Sequence, residues 1–548
     1  MIKKFLYDRS NIGKIMLFIG ILVIFPIIVL PFYQDEARYA YSFLIAGGSS
    51  ILLGLIFFFF GSKSSDKKSS WRNSIAISNL TVLFAWLWGV LIGALPFFIS
   101  GQLTFVQSLF EAVSGWTTTG LSAINVELCP QVFLFHRAFM QYCGGLGFIM
   151  MMVMFISNKQ SMNLYAAEGH PDKIMPNIKK TAEAILLIYN ICLVIGTIAY
   201  VIAGMTLFDA VCHSMCSLST GGFSNKLNSI GEYDSLPIEI ISIVLMLIGT
   251  TNFAALILLA KGKLKQFFRV SEVKFMFILL LVFIPMTALS LSSHLNVSFW
   301  EGLRKSSFDV VSALSTTGYS TMSYQDWPAF GIGILILSML IGGGIGSTAG
   351  GLKMSRVYLM LRLLGQNIKS RITSPNRVEV SYYYKASGKT PIDKDVLDET
   401  VGFFLTYIVV FIVGSLSIVA VSGCELWEGM FDFASSLGTV GLSSGITGPD
   451  TAAPVLIIEM IGMLLGRLEI FIVLMSITFG FSSVKHFFSR KSFERRERQE
   501  ERRREEIRSR LPLDLSRNVP YVSEGDGLKN ANKPEVLPLL EEEKRAES

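Results

Sequence analysis

The segment Ser114-Gly115-Trp116-Thr117-Thr118-Thr119-Gly120-Leu121-Ser122 lies between two long apolar stretches and is itself too short to cross a bilayer. Related segments follow three more times: Ser-Leu-Ser-Thr-Gly-Gly-Phe-Ser at 217–224, Ser-Ala-Leu-Ser-Thr-Thr-Gly-Tyr-Ser at 312–320 and Ser-Ser-Leu-Gly-Thr-Val-Gly-Leu-Ser at 435–443. Aligned on glycine, the columns read Thr118/Thr220/Thr316/Thr439, Gly120/Gly222/Gly318/Gly441, Leu121/Phe223/Tyr319/Leu442 and Ser122/Ser224/Ser320/Ser443. The glycines stand 102, 96 and 123 residues apart. One Thr-Thr-Gly carries no information in a chain of this length, but four copies agreeing at four columns define a repeat.

Outward from these segments the chain is apolar. Of its 548 residues 51% are hydrophobic and 16% charged, with a mean hydropathy of +0.51; an average soluble domain is roughly 25% charged. Lipid leaves backbone groups unsatisfied, so a spanning helix needs about 20 apolar residues. Ten stretches qualify: 14–32, 40–61, 74–99, 131–156, 182–204, 236–260, 273–292, 327–360, 397–420 and 453–483. Each Thr-x-Gly segment follows an outward span and precedes an inward one. The unit is therefore helix, half-helix with loop, helix, with half-helices near 104–116, 207–218, 302–314 and 427–437. The expected fold is an all-α polytopic membrane protein: two extra N-terminal helices, then four pseudo-four-fold helix–pore loop–helix repeats around one pore. Its parts are two N-terminal transmembrane helices (1–70), pore repeats at 71–160, 180–262, 270–362 and 395–485, and a charged, partly disordered cytosolic tail (486–548).

Lys and Arg set the orientation. With the N-terminus in the cytoplasm, segments 1–14, 61–73, 157–181, 261–274, 353–396 and 485–548 lie inside and hold 42 of the 48 basic residues. Both termini are then cytoplasmic. No A-x-A site follows the first span, which reads as a helix and not a leader. Asp35, Glu36, Glu127, Asp209, Glu232, Asp234 and Glu301 are among the acids left outside, where negative charge concentrates cations.

A cation that sheds its water needs oxygen ligands at short range, and the carbonyls of an extended Thr-x-Gly strand supply them. Glycine admits the positive φ needed to turn peptide planes toward one axis, while the threonine hydroxyl either adds a ligand or ties the strand to its neighbour. Half-helices entering from outside bring C-terminal ends, each about half a negative charge, toward that axis. The candidate ion-binding residues are Thr118, Thr119, Gly120, Thr220, Gly221, Gly222, Thr316, Thr317, Gly318, Thr439, Val440 and Gly441. Gly221 in the second copy and Gly438 and Val440 in the fourth make the symmetry approximate.

The span at 327–360 is interrupted by Gly342-Gly343-Gly344-Ile345-Gly346-Ser347-Thr348-Ala349-Gly350-Gly351-Leu352-Lys353. Each glycine disfavours helix by up to about 1 kcal/mol against alanine. Gly344-x-Gly346-x-x-Ala349 fits a loose dinucleotide fingerprint and Gly346 to Lys353 approaches a P-loop, yet no strand precedes and Leu352 precedes Lys353, so nucleotide binding is not expected here. Arg467 lies in the last apolar span, where a charge costs at least about 2.5–3.5 kcal/mol and points to function. It either faces the conduction path as a barrier or is tied to carbonyls of the glycine-rich loop; both fit gating.

On the four loops, segment 342–353 and Gly466-Arg467-Leu468-Glu469, the chain resembles the Trk/Ktr/HKT superfamily of potassium transporters over roughly 70–485. The two extra N-terminal spans are similar to the Trk branch. The resemblance implies that the twelve loop residues form a selectivity filter holding K+. It implies that Gly342, Gly343, Gly344, Gly346, Ser347, Thr348, Gly350, Gly351 and Arg467 form a gate. It further implies that Gly120 favours potassium, because serine at that place goes with sodium. Also implied are K+ as the transported ion with no cofactor bound by the chain, and a homodimer with one pore per subunit. A cytosolic ring of nucleotide-binding regulatory subunits, a site in the cytoplasmic (inner) membrane and no nucleic-acid partner complete the expectation. A sodium or mixed Na+/K+ transporter of the same architecture stays open.

Glu111, Asp309 and Asp432 stand nine residues before their glycines, with His213 in the second copy. They either ring the filter with charge or hydrogen-bond its strands, and buried carboxylates favour the second. His136, His170, His213, His294 and His486, with six cysteines, make no metal or CxxC spacing. No nucleophile–base pair points to an enzyme. Interleaved Arg and Glu over 485–511 read as a solvated helix, and 512–548 as disordered.

Overall fold

A computed structural model describes residues 9–60, 71–147, 178–372 and 382–478. The expectations for the tail at 486–548, for the second part of the span at 131–156, and for His170 and His486 lie outside the described residues.

Two apolar helices, α1 (Arg9–Ile24) and α2 (Ala40–Phe59), are joined by short 3-10 helices at Phe25–Phe32 and Gln34–Tyr39. Small residues let them touch: a methyl on Gly20 would crowd the carbonyl of Gly47, and one on Gly54 the amide of Leu17. The order long helix, short helix, loop, helix then recurs four times. The first round is α3 (Trp71–Ile99), α4 (Phe105–Trp116) and α5 (Gln131–Leu146). The second is α6 (Ile178–Ile202), α7 (Leu207–Leu218) and α8 (Leu236–Thr250), followed by α9 (Phe253–Ala260) and the linking turn α10 (Leu264–Phe267). The third is α11 (Ser271–Leu295), α12 (Phe299–Ser315) and α13 (Ala329–Ile341), followed by α14 (Met354–Ile372). A two-stranded antiparallel hairpin, β1 (Tyr382–Lys385) and β2 (Gly388–Pro391), pairs Tyr382 with Pro391. The fourth round is α15 (Lys394–Ser422), α16 (Leu426–Gly438) and α17 (Ala453–Arg467), followed by α18 (Ile470–Thr478).

The short helices begin where side chains can cap them. Thr104, Thr206 and Ser298 accept from the amides of Gln107, Asp209 and Glu301, and Glu425 with Glu428 closes a reciprocal capping box. At the N-terminal end of α5, the Glu36 carboxylate accepts from the amides of Gln131 and Val132 at 2.8 and 2.9 Å. An acid read as a free outer charge is thus a helix cap, favoured by the helix dipole.

Among the described residues six helices are long and apolar enough to cross a membrane, including Lys180–Ile202, Ser271–Leu295 and Lys394–Ser422. Two spans expected to be continuous are broken. The 236–260 span bends by 114° between α8 and α9, and the 453–483 span by 101° between α17 and α18. Asn252 caps α9 by accepting from Ala254 N, and Glu469 takes a left-handed backbone at the second break. Around the molecule, α5 packs on α7, α8 on α12, α13 on α16 and α17 on α4. The last helix of each round thus lies on the short helix of the next, and the fourth closes on the first.

Candidate functional site

Every short helix ends the same way. Thr118, Thr220, Thr316 and Thr439 adopt left-handed backbone, with φ of 55°, 50°, 57° and 51°. Their amides donate to Gly115, Ser217, Ala313 and Ser436 carbonyls at 3.1–3.2 Å. The amides of Thr119, Gly221, Thr317 and Val440 reach back to Ser114, Cys216, Ser312 and Ser435 at 2.8–2.9 Å. This double closure is the Schellman ending, usually built on glycine. A threonine in that conformation costs roughly 1–2 kcal/mol, so neighbouring contacts must hold it. Two residues on, Gly120, Gly222, Gly318 and Gly441 have φ of 99°, 75°, 88° and 102°. In three loops the glycine amide donates to a helix serine, Ser114, Ser312 or Ser435, at 2.9–3.1 Å; Cys216 holds that place in the second.

The four loops meet. A methyl on Gly120 would overlap the carbonyl oxygen of Gly221, one on Gly222 that of Thr317, one on Gly318 that of Val440, and one on Gly441 that of Thr119. Each glycine abuts the middle carbonyl of the next loop, and the cycle closes from the fourth loop to the first. The short helices therefore bring four C-terminal ends, with their partial negative charge, to one ring.

The threonine hydroxyls turn toward the glycine-rich segment. Thr316 Oγ1 accepts from the amide of Gly350 at 2.9 Å, and Thr220 Oγ1 shares a hydrogen bond with Thr348 Oγ1 at 3.1 Å. Thr118 Oγ1 accepts from Arg467 at 3.3 Å, and a methyl on Gly350 would overlap Thr439 Oγ1. In three of the loops the hydroxyl is a tie, while Thr439 Oγ1 is buried without a hydrogen-bond partner.

Segment 342–353 doubles back on itself. Gly342, at φ 68°, ends α13, and the amides of Gly343, Leu352 and Lys353 donate to Gly350, Leu340 and Ile341 carbonyls at 3.0–3.2 Å. The segment also fills the break between α8 and α9. Gly344 and Thr348 amides donate to Thr250 and Gly249 carbonyls, and Phe253 N donates to Gly346 O. Irregular backbone at membrane depth is thereby satisfied by protein. Arg467 donates to the carbonyls of Thr348, Gly144 and Gly145 as well as to Thr118. It clamps the segment to the end of α5 and to the first loop. Glu469 pairs with Arg356 at 2.8 Å.

The carboxylates nine residues before the glycines brace the outgoing limbs, and all are fully buried. Glu111 accepts from Ser122 Oγ and Ala123 N and pairs with buried Arg137 at 2.9 Å. Asp309 accepts from Thr321 and Tyr324, Asp432 from Ser444, and His213 Nε2 meets Ser224 Oγ at 3.0 Å. Bracing, not a ring of free charge, is what they do. Two participants were missed in the sequence: Arg137 and, four residues on, Gln141, which donates to Gly221 O and accepts from Phe223 N. Two polar side chains one turn apart in an apolar span were the available signal. Several of the acids expected on the outer face are paired, as Arg304 binds Glu239 and Asp234, and Lys226 binds Glu232.

Long apolar helices enclosing a ring of re-entrant loops define a multi-pass membrane protein built for transport. The family described as TrkH, cation transport protein, matches residues 50–482. The Trk system potassium uptake protein TrkH of Vibrio parahaemolyticus is 35% identical over 420 residues, covering 73% of this chain and 84% of that one. The Escherichia coli K12 protein of the same name is 32% identical over 483 residues, covering 85% and 96%. A crystal structure of the potassium transporter TrkH from Vibrio parahaemolyticus superposes with a TM-score of 0.74 at 28% identity, covering 86% of this chain and 98% of that one. The chain belongs to the TrkH family of cation transport proteins. It is a transporter and not an enzyme.

Proposed function

We propose that the chain takes up potassium across the cytoplasmic membrane through a channel-like pore. Its selectivity filter is the ring of Thr118, Thr119, Gly120, Thr220, Gly221, Gly222, Thr316, Thr317, Gly318, Thr439, Val440 and Gly441, with backbone carbonyls replacing the water of K+. The observation that carries this reading is the closed cycle in which each loop's glycine abuts the next loop's carbonyl. Potassium as the ion is supported by the names of the relatives. Segment 342–351 with Arg467 is the gate, a reading supported by the hydrogen bonds that fasten it to Thr118, Thr220 and Thr316. Uptake is driven by membrane potential, at about 2.3 kcal/mol per charge per 100 mV. The pore repeats follow the boundaries given above, both termini are cytoplasmic, subunits pair as a homodimer, and a cytosolic nucleotide-binding partner controls the gate. The resemblance supports the last two.

Rubidium flux into proteoliposomes, with Na+, K+ and Cs+ as competitors, tests the reading. K+ is expected to suppress rubidium entry at concentrations where Na+ does not. Equal suppression by Na+ would replace the potassium reading with a sodium or mixed transporter, and absence of flux would remove the pore.

A further inference from the structure

We propose that Gln141 is a positioning residue that sets ion preference by capping one of the four ring carbonyls. The inference rests on reading the ring as a filter. Gln141 sits on α5, fully buried, and its amide brackets Gly222: Nε2 donates to Gly221 O, and Oε1 accepts from Phe223 N at 3.1 Å. Gly221 O is one of the four oxygens that abut a neighbouring glycine. That oxygen alone is bonded by a side-chain amide among the described residues.

The departure from symmetry at position 221 has the same cause. The other loops carry Thr119, Thr317 and Val440 there. Gly221 does not adopt the left-handed region, so its backbone places no demand for glycine. What excludes a side chain is space, because a methyl would overlap Oε1 and Cδ of Gln141. Counting 21 residues from each ring glycine gives Gln141, Ile243, Met339 and Gly462, so the second loop alone is met by an amide at this register. Gln141 and Gly221 are one device: the glutamine needs the space that the glycine leaves.

A donor on a carbonyl lowers the field that oxygen offers to a cation. Number and field strength of coordinating carbonyls bear on discrimination between K+ and Na+. A weaker oxygen repays less of the hydration of the small ion, so the capped ring favours the larger one. Loss of the donor is expected to change ion preference two- to tenfold, equivalent to about 0.4–1.4 kcal/mol.

The experiment compares wild type, Gln141→Leu, Gly221→Thr and the double variant Gln141→Ala with Gly221→Thr. Rubidium flux is measured with Na+ competition, on protein that elutes as a single species. In Gln141→Leu the Na+ concentration that halves rubidium entry is expected to fall two- to tenfold. Gly221→Thr is expected to lose most flux by collision with Gln141, and the double variant to regain it, with threonine filling the vacated space as in the first and third loops. A wild-type Na+ ratio in Gln141→Leu, or undiminished flux in Gly221→Thr, overturns the proposal while wild-type flux keeps the filter reading intact. If Gln141→Leu does not fold, the comparison of Gly221→Thr with the double variant decides: no recovery overturns it. Absence of flux in wild type would remove both the filter and this inference.

Discussion

Thr118, Thr220, Thr316 and Thr439 each hold a backbone conformation that glycine would adopt at no steric cost. For three of them the hydroxyl accounts for the choice: Thr316 and Thr220 bond directly to the glycine-rich segment and Thr118 to Arg467, whereas Thr439 Oγ1 has no hydrogen-bond partner. Two residues later the requirement reverses. Gly120 combines φ of 99° with no room for a Cβ, which would overlap Gly221 O, so any side chain is both strained and driven into the next loop. Gly120→Ser should cut rubidium uptake at least tenfold and move the remaining transport toward sodium; normal uptake with unchanged competition would show that the close approach is not needed. The pair Glu111–Arg137 is fully buried. Removing one partner of such a pair costs about 3–5 kcal/mol, whereas replacing both by apolar groups is far milder. Glu111→Ala should therefore lower the thermal unfolding midpoint in detergent sharply, and Glu111→Ala with Arg137→Leu should recover much of the loss. A double variant no more stable than the single one would mean that Glu111 acts chiefly through Ser122 and Ala123.

Elements with local causes were legible. The short helices expected near 104–116 and 207–218 are Phe105–Trp116 and Leu207–Leu218, because cap residues and Thr-x-Gly endings lie within the segments themselves. The breaks at Thr251-Asn252 and Leu468-Glu469 depend on remote partners as well as on local residues such as the Asn252 cap, and the spans were read as continuous. Gly344 and Thr348 take the carbonyls that end α8, and Arg467 spends its donors on α5 and the glycine-rich segment. Nothing within 236–260 announces that a chain segment about 100 residues later will insert there. Gln141 was hidden for the related reason that an apolar span gives no hint of which neighbour a polar side chain will meet. The proposed gating role of Arg467 is tested at this scale. Arg467→Ala frees Thr348 O, Gly144 O and Thr118 Oγ1 together and removes a cation that bonds to the first loop. Rubidium flux without any cytosolic partner should rise several-fold, and flux equal to wild type would take Arg467 out of gating.

At the scale of the molecule, the ring has no independent part. Each round places its last helix on the short helix of the next round, and α17 returns to α4, so three rounds leave the first and third loops each without one neighbour. The same seam is reinforced outside the ring, where Gln107 Nε2 donates to Pro449 O at 2.8 Å across 342 positions of sequence. In the ring, Gly441 meets Thr119 O and Gly318 meets Val440 O. The fourth round thus completes two of the four loop–loop contacts. A chain cut between 372 and 382 separates three loops from the fourth without cutting a described element. Three loops expose two unpaired ring edges in a membrane, where unsatisfied polar groups cost several kcal/mol each. Neither fragment alone should restore growth of a potassium-uptake-deficient bacterium at low potassium. The two expressed together should, because burial of the α16 and α17 faces against α13 and α4 supplies the association that the covalent link otherwise guarantees. Growth supported by the three-loop fragment by itself would mean that ions do not pass through a ring requiring all four loops.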